Sequence, residues 1–236
     1  MPTQLRSLGP AWQPLCDAAV DALVRGGLDV SALWPTATLR REALERLGGL
    51  LDRVAVWNAR IDLTAARSER ELVDLYLADA LVLAAQGARE ALAPNASWID
   101  VGSGAGAPGL ALGLLWLTPE LTLVEPRQKR VAFLRNAVGA ALARPPVHVI
   151  EGRSERVESQ SHDVAISRAT FSPAQWLLEG ARLARRRVWV LVAQAAPPDL
   201  DGWQRAAQVD YEWPLTRAPR RALAYAPASE SSAGSV

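Results

Sequence analysis

The first third of the chain places hydrophobic residues at helical spacing. Over residues 39–54 they recur every three or four positions, so they form one stripe of an amphipathic helix. Ser68, followed three residues later by Glu71, is a capping-box signature and predicts the start of a second helix. We therefore expect residues 1–94 to form a helical extension that packs on the domain after it.

From residue 98 onward, short runs rich in β-branched residues alternate with segments long enough to hold a helix. The five runs are residues 98–101, 121–124, 147–150, 164–166 and 188–192. This alternation predicts an α/β fold with a mostly parallel, doubly wound sheet. Ser172 with Gln175 predicts a capped helix between the fourth and fifth strands. Two later runs, residues 209–213 and 221–225, predict a closing antiparallel pair.

A core domain is accordingly predicted over residues 95–227, with a flexible Ser/Ala-rich tail at 228–236. The composition, 50% hydrophobic and 22% charged over 236 residues, is that of a globular chain and excludes disorder, collagen and coiled coil as the main architecture. The single cysteine, Cys16, excludes an internal disulfide and favours a reducing compartment. The sequence shows neither a signal-peptide pattern nor an apolar run of about 20 residues, so we expect a cytoplasmic protein without a membrane partner.

The overall charge does not indicate a class of partner. The chain has 26 basic and 25 acidic residues, so only a local cluster can point to a polyanion. His148 and His162 are the two histidines. With one cysteine they are too few and too scattered for a zinc site, and no metal is expected.

The most informative segment runs from Asp100 to Gly109, where a strand ends and a helix is expected to begin. It holds four glycines within eight residues, and glycine lets the backbone turn sharply and lets a ligand approach closely. Glu125 ends the next predicted strand, 23 residues after Gly102. Because a carboxylate at that position can accept both hydroxyls of an adenosine ribose, the combination predicts a nucleoside-cofactor site.

Two cofactor classes use such a site, dinucleotides and S-adenosylmethionine. A dinucleotide places its pyrophosphate at the start of the helix, whereas S-adenosylmethionine has no phosphate. The Gly-x-Gly-x-Gly form of the loop favours S-adenosylmethionine, as does the absence of a Tyr-x-x-x-Lys pair. The acidic turn at residues 152–155 follows the third strand and is suited to the adenine edge. An NAD-type oxidoreductase on the same fold remains the alternative.

Further strings extend the pattern beyond the glycine loop, and with them the sequence resembles the bacterial RsmG (GidB) methyltransferases. Together they cover roughly residues 45–195 in the family's order, which makes chance agreement improbable. The strings are WNARIDLTA (57–65), IDVGSGAG (99–106) with Pro108 and Gly109, VEPRQKRVAFLR (124–135), GRSE (152–155) and ISRA (166–169).

The resemblance implies a Rossmann-like class I methyltransferase that uses S-adenosylmethionine to modify N7 of a guanine in small-subunit (16S) ribosomal RNA. Guanine N7 carries a lone pair and no proton, so no residue is expected to act as a general base. The implied cofactor contacts are Gly102, Gly104 and Ala107 in the loop, Ser154 and Glu155 against the adenosine, and Arg168 at the cofactor and substrate end of the fourth strand. Glu125 joins this group from the ribose argument above.

Arg127, Lys129, Arg130 and Arg135 form a basic stretch after the second strand. Such a run by itself more often marks a solvated helix face, but similar residues in this family face RNA, and Arg168 is implied to position the nucleotide. The expected partner is therefore small-subunit ribosomal RNA or the small ribosomal subunit. The protein is expected to act as a monomer.

Five residues depart from the types usual in the family. Asp62, Tyr76, Ala80, Ala107 and Gln194 stand where Asn, His, Ser, an aromatic or leucine residue, and Lys are usual. The cofactor strings are kept better than the substrate-side residues. A diverged relative with another substrate, or a non-catalytic protein that binds RNA or the ribosome, therefore remains an alternative.

Overall fold

The computed structural model describes residues 5–90, 96–117, 120–141, 147–193 and 199–228. Seven α-helices lie within these ranges: α1 (Trp12–Arg25), α2 (Ala37–Asn58), α3 (Glu69–Val73), α4 (Asp79–Arg89), α5 (Gly109–Leu115), α6 (Gln128–Ala141) and α7 (Pro173–Leu183). None of the helices in this part of the chain is long and apolar enough to cross a lipid bilayer.

Seven strands of the described ranges form one sheet: β1 (Ser97–Val101), β2 (Glu120–Glu125), β3 (Val147–Glu151), β4 (His162–Ser167), β5 (Ala184–Val192), β6 (Trp203–Glu212) and β7 (Pro219–Pro227). Their order is β3-β2-β1-β4-β5-β7-β6. The first five strands are parallel to one another, and β7 pairs antiparallel with both β5 and β6. The predicted sheet and its closing antiparallel pair are confirmed.

The N-terminal helices form as their hydrophobic spacing predicts. In α2 the predicted stripe is fully buried from Leu44 to Val54, whereas Leu39 in the first turn is exposed. The Thr36 hydroxyl caps the helix by accepting from the Leu39 N–H at 3.3 Å. In a folded protein, packing of such a hydrophobic face supplies most of the stability of a helix. Helices α3 and α4 are joined without a break by a π-helical turn, Asp74–Ala78.

The two predicted helix starts differ in their hydrogen bonds. At α7 the capping box is complete, because Ser172 and Gln175 each bond the other's backbone N–H. At α3 the box is only half formed. Its Ser68 hydroxyl accepts from the Glu71 N–H at 3.2 Å, whereas the Glu71 carboxylate accepts from the N–H of Arg67, at 2.8 Å, one residue before the cap.

Hydrophobic side chains cover both faces of the sheet. One cluster joins α1, α2 and α4 to β1 and includes Trp12 and Trp98, so residues 5–90 pack directly on the sheet. The other cluster lies under α7 and includes Trp176 and Tyr225. The division into an extension (1–94), a core (95–227) and a tail (228–236) stays a prediction, and residues 91–95 and 229–236 lie outside the described residues.

The segment between β3 and β4 differs from the alternation expected. Its length allowed a helix, but it folds as a single 3₁₀ turn, Ser154–Arg156, before β4 begins at His162. The Val157 N–H closes this turn on the carbonyl of Ser154 at 2.9 Å, and the guanidinium of Arg182 donates to the same carbonyl at 2.8 Å. Because the turn directly follows the end of β3, it lies at the carboxyl edge of the parallel strands.

Candidate cofactor and substrate site

The glycine loop follows β1 at the carboxyl edge of the parallel strands, where ligands of open α/β sheets bind. Gly102 has φ +74° and Gly104 has φ +57°, a region that disfavours side chains with a Cβ atom. A Cβ on Gly102 would also overlap the Thr170 side chain from the segment after β4. The sequence needs glycine at position 102 because the backbone has a positive φ there and the Thr170 side chain packs against it.

Most backbone N–H groups of the loop bond within the protein. Gly102 and Ser103 donate to the carbonyl of Val124 at 2.8 and 3.1 Å, and Gly106 donates to the carbonyl of Ser103 at 2.7 Å. Gly104 donates to a Glu125 carboxylate oxygen at 2.9 Å. A pyrophosphate requires free N–H donors at this place, so these bonds disfavour a dinucleotide.

Glu125 lies at the end of β2 as predicted, and it is 2% exposed. Oε2 accepts from Gly104, and Oε1 accepts from the N–H of Arg127 at 2.8 Å. The carboxylate thus joins the glycine loop to the start of α6. Each oxygen keeps a second lone pair that could accept a further hydrogen bond. Acceptance from the ribose hydroxyls stays a prediction for Glu125.

Asp100 ends β1 and fixes the far side of the loop. One carboxylate oxygen accepts from the Gly109 N–H at 3.0 Å. Burial raises the pKa of Asp100 to about 7, although the Gly109 bond and the charge of Arg168 act in the opposite direction. In the folded protein the carboxyl group therefore keeps its proton to a higher pH than an ordinary aspartate does.

Two clefts open on either side of Gly102 and Thr170. The first cleft, about 420 Å³, is lined by residues that include Gly104, Ala107, Arg130 and Arg168. The second cleft, about 210 Å³, is lined by residues that include Pro126, Ser154, Glu155 and Phe171. The predicted loop residues and Ser154 with Glu155 thus lie around Gly102 and Thr170, whereas Glu125 lines neither cleft.

The remaining predicted basic residues lie outside both clefts. Arg127 and Lys129 are exposed at the start of α6. Arg135, two turns further along the helix, is also exposed and lies 3.8 Å from a carboxylate oxygen of Glu151. Arg130 alone of the four predicted basic residues lines a cleft.

Arg168 is held by a buried network that the sequence does not indicate. Its Nη1 donates to the Leu75 carbonyl at 2.7 Å and to Asp79 Oδ2 at 3.0 Å. Asp79 is 1% exposed, and its other oxygen accepts from the Tyr211 hydroxyl at 2.7 Å and from Trp213 Nε1 at 3.1 Å. We call Asp79, Arg168, Tyr211 and Trp213 the Asp79 network. It fixes two residues that line the first cleft, Arg168 and Trp213.

Tyr76, one of the departures from the family pattern, contacts the glycine loop. Its hydroxyl donates to the Ala105 carbonyl at 2.8 Å, and the side chain is 1% exposed. Burial raises the pKa of Tyr76, against the opposing charges of Arg168 and Arg130. The phenol therefore stays protonated and acts as a hydrogen-bond donor.

The other departures fall in different surroundings. Asp62 is exposed, Ala80 is fully buried and Ala107 lines the first cleft. Gln194 lies outside the described residues. Among the residues that the structure describes, no three His, Cys, Asp or Glu side chains are grouped as metal ligands.

Comparison with known proteins identifies the family. Residues 43–199 match the sequence pattern of the GidB family, described as rRNA small subunit methyltransferase G. The chain belongs to this family. It is similar to the ribosomal RNA small subunit methyltransferase G of Anaeromyxobacter dehalogenans, with 30% identity over 86% of this chain and 96% of that protein. The same-named protein of Dichelobacter nodosus is 34% identical over 74% of this chain and 79% of its own length.

Solved structures share the fold. Magnesium protoporphyrin IX methyltransferase from Synechocystis PCC 6803, with bound SAH, superposes with a TM-score of 0.57 at 12% identity, covering 75% of this chain and 93% of that one. The class I methyltransferase fold predicted from the sequence is confirmed, as is the resemblance to the GidB family. The matched range contains the glycine loop, Glu125, Ser154 and Arg168.

Proposed function

We propose that the protein transfers a methyl group from S-adenosylmethionine to N7 of a guanine in small-subunit ribosomal RNA. The observation that carries the proposal is the family match over residues 43–199, which spans both clefts apart from Trp213. Ribosomal RNA as substrate makes the cytoplasm the proposed place of action. A monomer is the proposed acting unit.

The residues present fit the cofactor. Apart from its chain neighbours, a Cβ built on Gly104 would meet only ordinary van der Waals contacts, with Arg130 Nη1 at 3.8 Å and the Gly102 carbonyl oxygen at 3.9 Å, and Gly104 lines the first cleft. Gly102 and Gly104 would hold the amino-acid part, Glu125 the ribose, and Ser154 with Glu155 the adenine end. When bound, S-adenosylmethionine supplies an electrophilic methyl group on a sulfonium. The chain's internally bonded loop suits a ligand that lacks phosphate.

The protein's part in the reaction is to bind and orient. Because guanine N7 has no proton to remove, the reaction needs no general base. His148 lies on β3 near Glu120, and His162 bonds the Thr122 hydroxyl, so neither histidine lines a cleft. Holding two reacting atoms in attack geometry can supply roughly 7–11 kcal/mol.

Arg168 and the basic residues of α6 would position the RNA. Arg168 is locked by Asp79 and the Leu75 carbonyl, so its guanidinium is available as a fixed donor at the wall of the first cleft. Arg127 and Lys129 are exposed close by in the chain, and they suit phosphate contacts. RNA affinity supplied in this way should fall steeply as salt concentration rises.

The proposal is tested by incubating the purified protein and methyl-labelled S-adenosylmethionine with small ribosomal subunits that lack the modification. Label in the RNA is expected with the wild-type protein and a loss of at least tenfold with Arg168→Ala. Arg185→Ala is the matched control, because Arg185 pairs with Asp163 at 3.0 Å away from both clefts. Cofactor binding without transfer would instead support a non-catalytic protein or another substrate.

A further inference from the structure

A carboxylate shares the first cleft with the two arginines. Glu71 of α3 lines this cleft together with Arg130 and Arg168, and among the described lining residues it is the one acidic side chain. Its Oε2 accepts from the Arg67 N–H at 2.8 Å. Within the described ranges, Oε1 has no hydrogen-bond donor and the carboxylate has no ion-pair partner. Its negative charge is therefore available to a ligand.

The position of Glu71 relative to the glycine loop suits a purine base. Glu71 precedes Tyr76 by five residues, and Tyr76 bonds Ala105 in the loop. Both residues lie on one continuous helical segment and line the first cleft. A purine that enters this cleft with its N7 toward the loop presents its Watson–Crick edge away from the loop, and Glu71 is the one acidic group among the described lining residues that this edge can meet.

The Watson–Crick edges of guanine and adenine carry different hydrogen-bonding groups. Guanine offers N1–H and the N2 amino group, whereas adenine offers an acceptor at N1. An ionised carboxylate only accepts hydrogen bonds, so it favours guanine and repels adenine. A site whose polar groups fit only the correct substrate discriminates strongly, because the wrong substrate leaves those groups unpaired.

The charge of the base also changes during the transfer. The N7 lone pair forms the new N–C bond, the electrons of the broken C–S bond stay on sulfur, and the positive charge passes to the base without movement of a proton. N1–H becomes a stronger donor as this charge develops. A carboxylate at the Watson–Crick edge therefore binds the transition state more tightly than the ground state, and such differential binding raises kcat.

We propose that Glu71 reads the Watson–Crick edge of the target guanine and stabilises the positive charge that methylation places on the base. This inference rests on the proposed function. It makes Glu71 a specificity-determining residue in addition to its part in the start of α3.

Glu71→Gln separates these two roles. The glutamine amide oxygen can still accept from the Arg67 N–H, so the helix start is kept while the charge is lost. The matched control is Glu69→Gln, because Glu69 lies on the same turn but pairs with Arg6 at 3.3 Å and does not line the cleft. We expect Glu71→Gln to lower kcat on small subunits by roughly 10- to 100-fold, the range of one charge-assisted hydrogen bond. The Kd for S-adenosylmethionine and the Tm should stay unchanged, and Glu69→Gln should behave as wild type.

A second measurement compares the methylation rates of guanine and adenine at the target position. The guanine labelled by the wild-type protein is replaced by adenine in mutated ribosomal RNA, and both proteins are assayed on both substrates. The Glu71→Gln amide can donate to adenine N1, so its adenine-to-guanine rate ratio should exceed the wild-type ratio by at least tenfold.

Three results would overturn the inference. Glu71→Gln with the kcat and base preference of the wild type would refute it and leave the proposed function intact. A loss of kcat that is matched by a fall in Tm would show a helix-capping role only. Failure of the wild-type protein to label any guanine would refute both the inference and the proposed function.

Discussion

Replacement of Asp79 by Asn should destabilise the protein strongly, because the Asp79 network depends on both carboxylate oxygens. One oxygen bonds Arg168 at 3.0 Å, and the other accepts from Tyr211 at 2.7 Å and Trp213 at 3.1 Å. An asparagine has a single acceptor oxygen, so its NH₂ group must face either Arg168 or the Tyr211 and Trp213 donors, and the hydrogen bonds on that side are lost. Removing one partner of a buried ion pair costs about 3–5 kcal/mol, and we expect a loss of this size because the side chains are only 2% and 18% exposed.

The free energy of unfolding is measured by urea titration, and the Tm should fall by about 10 °C for a chain of this size. Asp210→Asn is the control, because Asp210 and Arg221 form a pair whose side chains are 56% and 34% exposed. Such exposed pairs contribute about 0–1 kcal/mol. An Asp79→Asn protein within 1 kcal/mol of wild type would refute the view that this network holds the cleft wall.

Three further results are expected. Tyr76→Phe removes the donor to the Ala105 carbonyl and should cost about 1–3 kcal/mol and weaken cofactor binding, whereas cofactor affinity equal to wild type in a calorimetric titration would contradict this role. Burial raises the pKa of Asp100 to about 7, so above pH 4 the native state retains a proton that the unfolded chain has lost. The free energy of unfolding should therefore fall from pH 4 to 7, by up to about 1.4 kcal/mol per pH unit. Asp100→Asn should remove that slope, and equal slopes in the two proteins would exclude Asp100 as its source. Gly102→Ala should abolish cofactor binding through its clash with Thr170, and retained binding would show that the loop can move.

The cofactor half of the site was predictable because its signals are local. Gly102 lies at the end of one strand and Glu125 at the end of the next, and parallel strands bring such ends to one edge of the sheet. The Gly104–Glu125 hydrogen bond at 2.9 Å confirms this proximity. The helix start at Ser172 was equally predictable, since a capping box involves residues only three apart.

The substrate wall was not predictable because its partners are distant in the sequence. Asp79 and Trp213 are 134 residues apart and meet only when the β6–β7 end of the sheet packs on the N-terminal helices. No local spacing encodes that contact. The π-helical turn Asp74–Ala78, which leads into Asp79, has no sequence signature either. Glu71 was predicted as a helix cap, and only the packed structure shows that it lines a cleft.

Mapping the modified base tests the central claim most directly. Small subunits that lack the modification are treated with the protein and S-adenosylmethionine, and the RNA is then cleaved chemically at N7-methylguanine and read by primer extension. We predict strand scission at one guanine, dependent on both protein and cofactor. Methylation at another atom or base, or no methylation of the RNA by protein that binds S-adenosylmethionine, would contradict the account.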